Sequence, residues 1–135
     1  MRLSKESEYG LKGLVFLAQQ PPGTVMLLRD VAAAQGLPQS FLAKIFRKFV
    51  QHGLVRSYRG KERGFALAKP PTAVPLKEVL HAVEGPDLYE RCVFGNAHCG
   101  GDDPCPLHEA WSTVKPQFVE LMERMTLAAL TQEPA

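Results

Sequence analysis

No stretch of this chain is long and apolar enough to cross a bilayer. The longest strictly apolar run near the N-terminus is Leu14–Ala18, against the roughly 20 residues that a membrane helix needs. Glu6, Glu8 and Lys12 interrupt the first stretch, so a secretory leader is not expected and the cytoplasm is the expected compartment. Enzyme signatures are missing as well. There is no nucleophile–base pair, no paired-carboxylate pattern and no phosphate-binding glycine loop. Gly60–Gly64 lacks the Gly-Lys-Ser/Thr ending that such a loop requires. The chain is therefore expected not to be an enzyme. Cysteine is scarce, with three in 135 residues, and an odd count in a reducing compartment disfavours a disulfide framework. Internal repeats and low-complexity tracts are absent from the sequence.

What is present describes a single globular domain. Apolar residues make up 45% and charged residues 22%, with eleven glycines and eleven prolines; these values allow a core without staples. The formal charge of +2 says little until its distribution is read. Residues 39–63 hold seven basic side chains (Lys44, Arg47, Lys48, Arg56, Arg59, Lys61, Arg63) and one acidic, Glu62. The segments on either side are near neutral and acidic. A short basic block in an otherwise balanced chain is the footprint of a polyanion-binding face; the bland alternative is a solvated surface.

The block falls on a recognisable order of elements. Ser4, with Glu6 and Glu8 behind it, predicts a helix start, and Leu11, Leu14, Val15, Leu17 and Ala18 supply its apolar face until Pro21-Pro22-Gly23 ends it. Val25–Leu28 reads as a short extended or turn segment. A short helix is predicted over Asp30–Gln35 and a longer one from Gln39 to about His52, joined through Gly36-Leu37-Pro38. The longer helix places Phe41, Leu42, Ile45, Phe46, Phe49 and Val50 at steps of three and four. Leu54–Arg59 and Phe65–Ala68 then read as two strands around a charged tip. A helix-turn-helix followed by a basic hairpin is the winged-helix order. In such a unit the second helix enters the major groove near its N-terminus. That placement nominates Gln39, Ser40 and Lys44 for bases, Arg47 and Lys48 for phosphates, and Arg59, Lys61 and Arg63 at the wing tip. A wing arginine suits the narrow minor groove of A·T tracts.

Pro75–Glu84 reads as a further helix, ended by Gly85-Pro86. Residues 86–106 read as a long loop, a length that points to function in a compact domain. The last helix is predicted from about 104–107 to about Leu130. Leu107, Trp111, Val114, Phe118, Leu121 and Met125 recur at alternating steps of four and three, a heptad seam suited to a dimer. Pro116 removes one backbone hydrogen bond, so a kink is expected there. The expected fold is mainly α with a small β-hairpin: a winged helix-turn-helix with a long C-terminal dimerisation helix. Within one structural domain it divides into a DNA-binding part (1–85), a cysteine-rich cluster-binding loop (86–106) and a dimerisation helix (107–130).

All three cysteines fall in that loop, as Cys92-x6-Cys99-x5-Cys105, with His108 three residues further on. Clustered among Gly, Asp, Asn and Pro, they suit a metal centre better than packing. An iron–sulfur cluster and structural zinc both accept three thiolates plus one further ligand. Zinc sites usually show a tight C-x2–4-C knuckle, which is missing; metal-free thiols are the remaining alternative. His108, one turn from Cys105, is a candidate fourth ligand. His98 is a weaker one. Glu8 is another, although its plain reading is an i,i+4 pair with Lys12.

Several of these residues together resemble the iron–sulfur regulators of the IscR/NsrR/RirA type. They are Met1-Arg2-Leu3-Ser4, the helix-turn-helix, Arg59-Gly60-x3-Gly64-Phe65-x-Leu67-Ala68, Leu76-x2-Val79-x3-Val83-Glu84-Gly85, the cysteine trio and Cys105-x2-His108-x2-Trp111. The resemblance spans about residues 1–130. It implies a winged-helix homodimer on a palindromic double-stranded DNA operator, with a cluster held by Cys92, Cys99 and Cys105. In IscR-like members a histidine in the position of His108 completes a [2Fe–2S] cluster. In NsrR-like members an acidic residue in the position of Glu8 completes a [4Fe–4S] cluster. This chain carries both. It departs from the pattern in a Cys92–Cys99 interval one residue longer, in Arg63 where glycine is common, in Ala43 where IscR has a base-contacting glutamate, and in Pro116. The expected function is a homodimeric transcriptional regulator sensing redox, nitric oxide or iron status through its cluster. The rivals are a cluster-free thiol or zinc-dependent regulator, and a small iron–sulfur electron carrier, against which the basic block argues.

Overall fold

The computed structural model describes residues 4–90 and 105–131. Helix α1 (Lys5–Ala18) begins where the Ser4 hydroxyl oxygen accepts the Ser7 backbone N–H at 3.2 Å, with Glu6 and Glu8 in the first turn. Helix α2 (Leu28–Gln35) starts two residues earlier than its sequence suggests and ends at Gly36, whose φ of +65° is left-handed. Helix α3 (Gln39–Gln51) follows directly and buries Leu42, Ile45, Phe46 and Phe49. Phe41 is half-buried, and Val50 of the expected apolar face is exposed. Helices α1 and α3 meet across two glycines. A Cβ on Gly10 would come within 2.8 Å of the Phe49 ring and 2.9 Å of Ile45, and one on Gly13 within 2.9 Å of the Phe46 ring.

Strands β1 (Val55–Tyr58) and β2 (Gly64–Leu67) pair antiparallel, Val55 opposite Leu67 and Tyr58 opposite Gly64. The extended segment before α2 finds its partner here. Met26 bridges Phe65 through two backbone hydrogen bonds of 2.9 and 2.8 Å, so the wing is tied to the helix-turn-helix. Gly64 is required at that junction: its φ is +141° and any Cβ would collide with the Met26 carbonyl oxygen.

Helix α4 (Leu76–Glu84) buries Leu76, Val79, Leu80, Ala82 and Val83. A 3-10 turn at Leu88–Glu90 buries Leu88 in what reads as open loop. The single long C-terminal helix expected to run to about Leu130 is two helices. Helix α5 (His108–Arg124) continues through Pro116, and a four-residue α6 (Leu127–Leu130) follows a break at Met125–Thr126. Tertiary pairing makes the break: Leu76 N–H donates to the Met125 carbonyl at 2.9 Å, and Leu127 N–H donates to the Val74 carbonyl at 2.8 Å. Leu127 is thereby fully buried in the core with Leu14, Val31, Leu42, Phe46, Phe49 and Val79. Among the described residues no helix is long and apolar enough to cross a membrane.

Candidate nucleic-acid interface and sensing segment

The amphipathic pattern of α3 turns its polar face outward because its apolar face is consumed by α1 and α2. Gln39, Ser40, Lys44 and Arg47 are exposed there, and the wing presents exposed Arg59, Lys61 and Arg63 beside them. Among the described residues, Lys44, Arg47, Arg56, Arg59, Lys61 and Arg63 enter no ion pair. A row of unneutralised cations on two adjoining elements is a surface for a polyanion. Lys48, expected among the phosphate contacts, turns elsewhere. Its ammonium lies 2.9 Å from the Glu6 carboxylate of α1 and donates to the Val83 carbonyl of α4 at 3.3 Å. It braces α3 from behind.

A second brace is invisible in the charge pattern. Ser7, fully buried on α1, donates its hydroxyl to Glu84 Oε2 at 2.7 Å, and the Ser4 backbone N–H reaches the same oxygen at 3.0 Å. The end of α4 is thus locked to the start of α1. The only sequence signal is a polar residue on the core stripe that continues through Gly10 and Leu14.

Of the cysteine trio, Cys105 alone is among the described residues; Cys92, Cys99 and His98 lie outside them. Cys105 is half-buried immediately before α5, and its carbonyl accepts the His108 backbone N–H at 3.0 Å. His108 opens the helix. A cysteine sulfur and an imidazole three residues apart are donor types that an iron–sulfur centre takes, so these two residues fit such a group, although among the described residues no group of three or more His, Cys, Asp or Glu comes together. Glu8 stands in different surroundings, on an exposed face of α1. Its carboxylate meets Lys12 at 3.1 Å and Lys5 at 3.3 Å. Hydrogen bonds from Lys12 and Lys5, and their charges, hold its pKa below the ordinary carboxylate range.

The seam of α5 is divided. Leu107 and Val114 are 43% and 50% exposed, whereas Trp111, Phe118, Leu121 and Met125 are half-buried. Trp111 and Phe118 lean on each other with ring centroids 6.4 Å apart, and Phe118 meets Tyr89 at 6.3 Å, which in turn meets His81 of α4 at 5.7 Å. Burial pushes the Tyr89 phenol up, with Lys77 pulling the other way. The far end of α5 is pinned to α4 by Lys77 and Glu123 at 2.8 Å.

Comparison with known proteins agrees with this geometry. A family model described as an iron-dependent transcriptional regulator, Rrf2, matches residues 3–133. The chain belongs to the Rrf2 family. An HTH-type transcriptional regulator of Mycobacterium tuberculosis is 36% identical over 129 residues, covering 95% of this chain and 80% of that protein. The regulator IscR of Escherichia coli is 28% identical over 130 residues, covering 96% and 80%. Among solved structures, CymR of B. subtilis, a global cysteine regulator, superposes with a TM-score of 0.80 at 23% identity, covering 97% of this chain and 96% of that one. IscR of T. potens gives 0.75 at 25% identity, covering 96% and 85%. The fold is the winged helix of this family, and the chain is a transcriptional regulator, not an enzyme.

Proposed function

We propose that this Rrf2 regulator binds operator DNA as a homodimer and reports the state of an iron–sulfur cluster held by Cys92, Cys99 and Cys105. The observation that carries the DNA reading is the row of unpaired cations shared by α3 and the wing. Gln39 and Ser40 at the start of α3 face base edges, with Lys44 beside them. Arg47, Lys61 and Arg63 supply phosphate contacts, and Arg59 is placed for the minor groove. Lys48 stays with Glu6 and orients the helix. The exposed Leu107, just before α5, and Val114 on it await a second copy, which would also pair two recognition helices for a palindromic site.

For the fourth ligand, His108 is favoured over Glu8. It follows Cys105 by three residues, with its backbone N–H on the Cys105 carbonyl, whereas Glu8 is remote in sequence. When bound, the cluster supplies a centre whose loss or oxidation removes the restraint on Cys105. The chain's own residues carry that change onward. Cys105 and His108 fix the start of α5, Lys77 and Met125 tie its end to α4, and Lys48 ties α4 to α3. A local change at the cysteines thus has a contiguous route to the recognition helix.

Native mass spectrometry of anaerobically purified protein, with its visible spectrum, tests the reading. A dimer carrying the mass of [2Fe–2S] supports the cluster and His108. The mass of [4Fe–4S] supports the cluster but transfers the fourth position to Glu8. Zinc, or no metal under strict anaerobiosis, overturns the cluster and leaves a thiol- or zinc-dependent regulator.

A further inference from the structure

Between the start of α3 and the base of the wing lies an open groove of about 360 Å³. Its polar lining is Arg29 from the first turn of α2, Gln39 from the first turn of α3, and Ser57, Tyr58 and Arg63 from the wing. No carboxylate lines it. Arg29 has Asp30 at 3.9 Å as its ion-pair partner, with both side chains more than half exposed. Arg63 has none among the described residues. Arg59, although on the same wing, does not line the groove.

The geometry of a duplex says what belongs there. When a helix occupies the major groove and the wing approaches the adjacent minor groove, the sugar–phosphate strand dividing those two grooves must pass between helix and wing. The groove is that gap. We infer that it seats one backbone phosphate, gripped by the guanidinium groups of Arg29 and Arg63, with the Tyr58 hydroxyl donating to the same phosphate. Planar guanidinium forks suit phosphate oxygens. This divides the labour of the wing: Arg63 anchors the strand while Arg59 is left for the minor groove. The inference rests on the DNA reading above and adds Arg29 and Tyr58, which lie outside or at the edge of the basic block's expected contacts.

The test is fluorescence anisotropy with a labelled mixed-sequence duplex several helical turns long, titrated across salt concentrations. Arg29→Gln and Arg63→Gln each weaken binding about equally on any sequence. The double variant lowers the slope of log affinity against log salt by about one unit, the signature of one phosphate released. Tyr58→Phe removes a neutral donor; it costs roughly two- to tenfold in affinity and leaves the slope unchanged. A double variant with the parental slope overturns the seat. A drop of about two units also overturns it, by placing the arginines on separate phosphates. Loss of circular dichroism is not expected, because both arginines are exposed. If the unaltered protein shows no salt-dependent binding at all, the failure belongs to the DNA reading and not to the seat alone.

Discussion

The two ends of this molecule are built on opposite principles. From α1 through α4, each helix buries an apolar face against its neighbours, and the contact between α1 and α3 is so close that two glycines are needed. Helix α5, the longest at seventeen residues, has no buried residue of its own. The DNA-reading half is therefore complete as a packed unit. The C-terminal half is a long lever fastened at its far end by Lys77–Glu123 and Leu76–Met125, leaning on Tyr89 through Phe118, and bearing Cys105 and His108 at its start. A packed core resists partial adjustment because its side chains interlock at high density. A lever with an open face can be moved by whatever binds it.

The difference is broken most severely from the core side. Phe46 is fully buried and touches the Gly13 position, Phe49 and Phe65, so it joins α1 and α3 to the wing. Phe46→Ala is expected to lower stability by about 3–5 kcal/mol through lost transfer energy and the cavity left behind. Urea denaturation checks this; a loss below about 1 kcal/mol would show that the core is not one continuous unit.

The next effect probes the polar lock between α1 and α4. Glu84→Ala strips the acceptor from the buried Ser7 hydroxyl and the Ser4 N–H. An orphaned buried donor costs about 1–3 kcal/mol. If Ser7→Ala is introduced as well, part of that loss returns, because no hydroxyl is then left unsatisfied. Absence of recovery in the double variant would mean that Glu84 acts through something other than Ser7.

On the lever side the expectation reverses. Val114→Lys changes an exposed residue, so the fold of the single chain should shift by no more than about 0.5 kcal/mol. Self-association should collapse, because a charge enters the middle of an apolar contact. Sedimentation equilibrium read beside circular dichroism separates the two effects. An undiminished dimer would remove α5 from the proposed interface.

Which features could be read from the residues follows the same division. In α3, Leu42, Ile45, Phe46 and Phe49 announce a helix by spacing alone, and all four are buried. Gly36 and the glycines around the wing mark their turns for local steric reasons. The break at Met125–Thr126 carries no such mark: the seam reads straight through Met125, with neither glycine nor proline to stop it. It is imposed by backbone pairing with residues about fifty positions earlier. The same holds for Met26 against Phe65 and for Lys48 against Glu6. Local pattern fixes an element's type, but a partner distant in sequence decides where it ends and which cation is taken out of service.

The smallest expected effect sharpens the assignment at the start of α5. Glu8 is exposed and its two lysine contacts are surface pairs, of a kind that adds little to stability. Glu8→Gln should leave the unfolding midpoint unchanged. It should also leave the iron content of anaerobically purified protein unchanged if His108 is the fourth ligand, while His108→Ala lowers it. The opposite result, iron lost from the Glu8 variant and kept in the His108 variant, would bring α1 into the cluster site. The lever would then be fastened to the DNA-reading half at both ends. Cluster loss would free its start directly from α1, on which the recognition helix packs, without passing through α4.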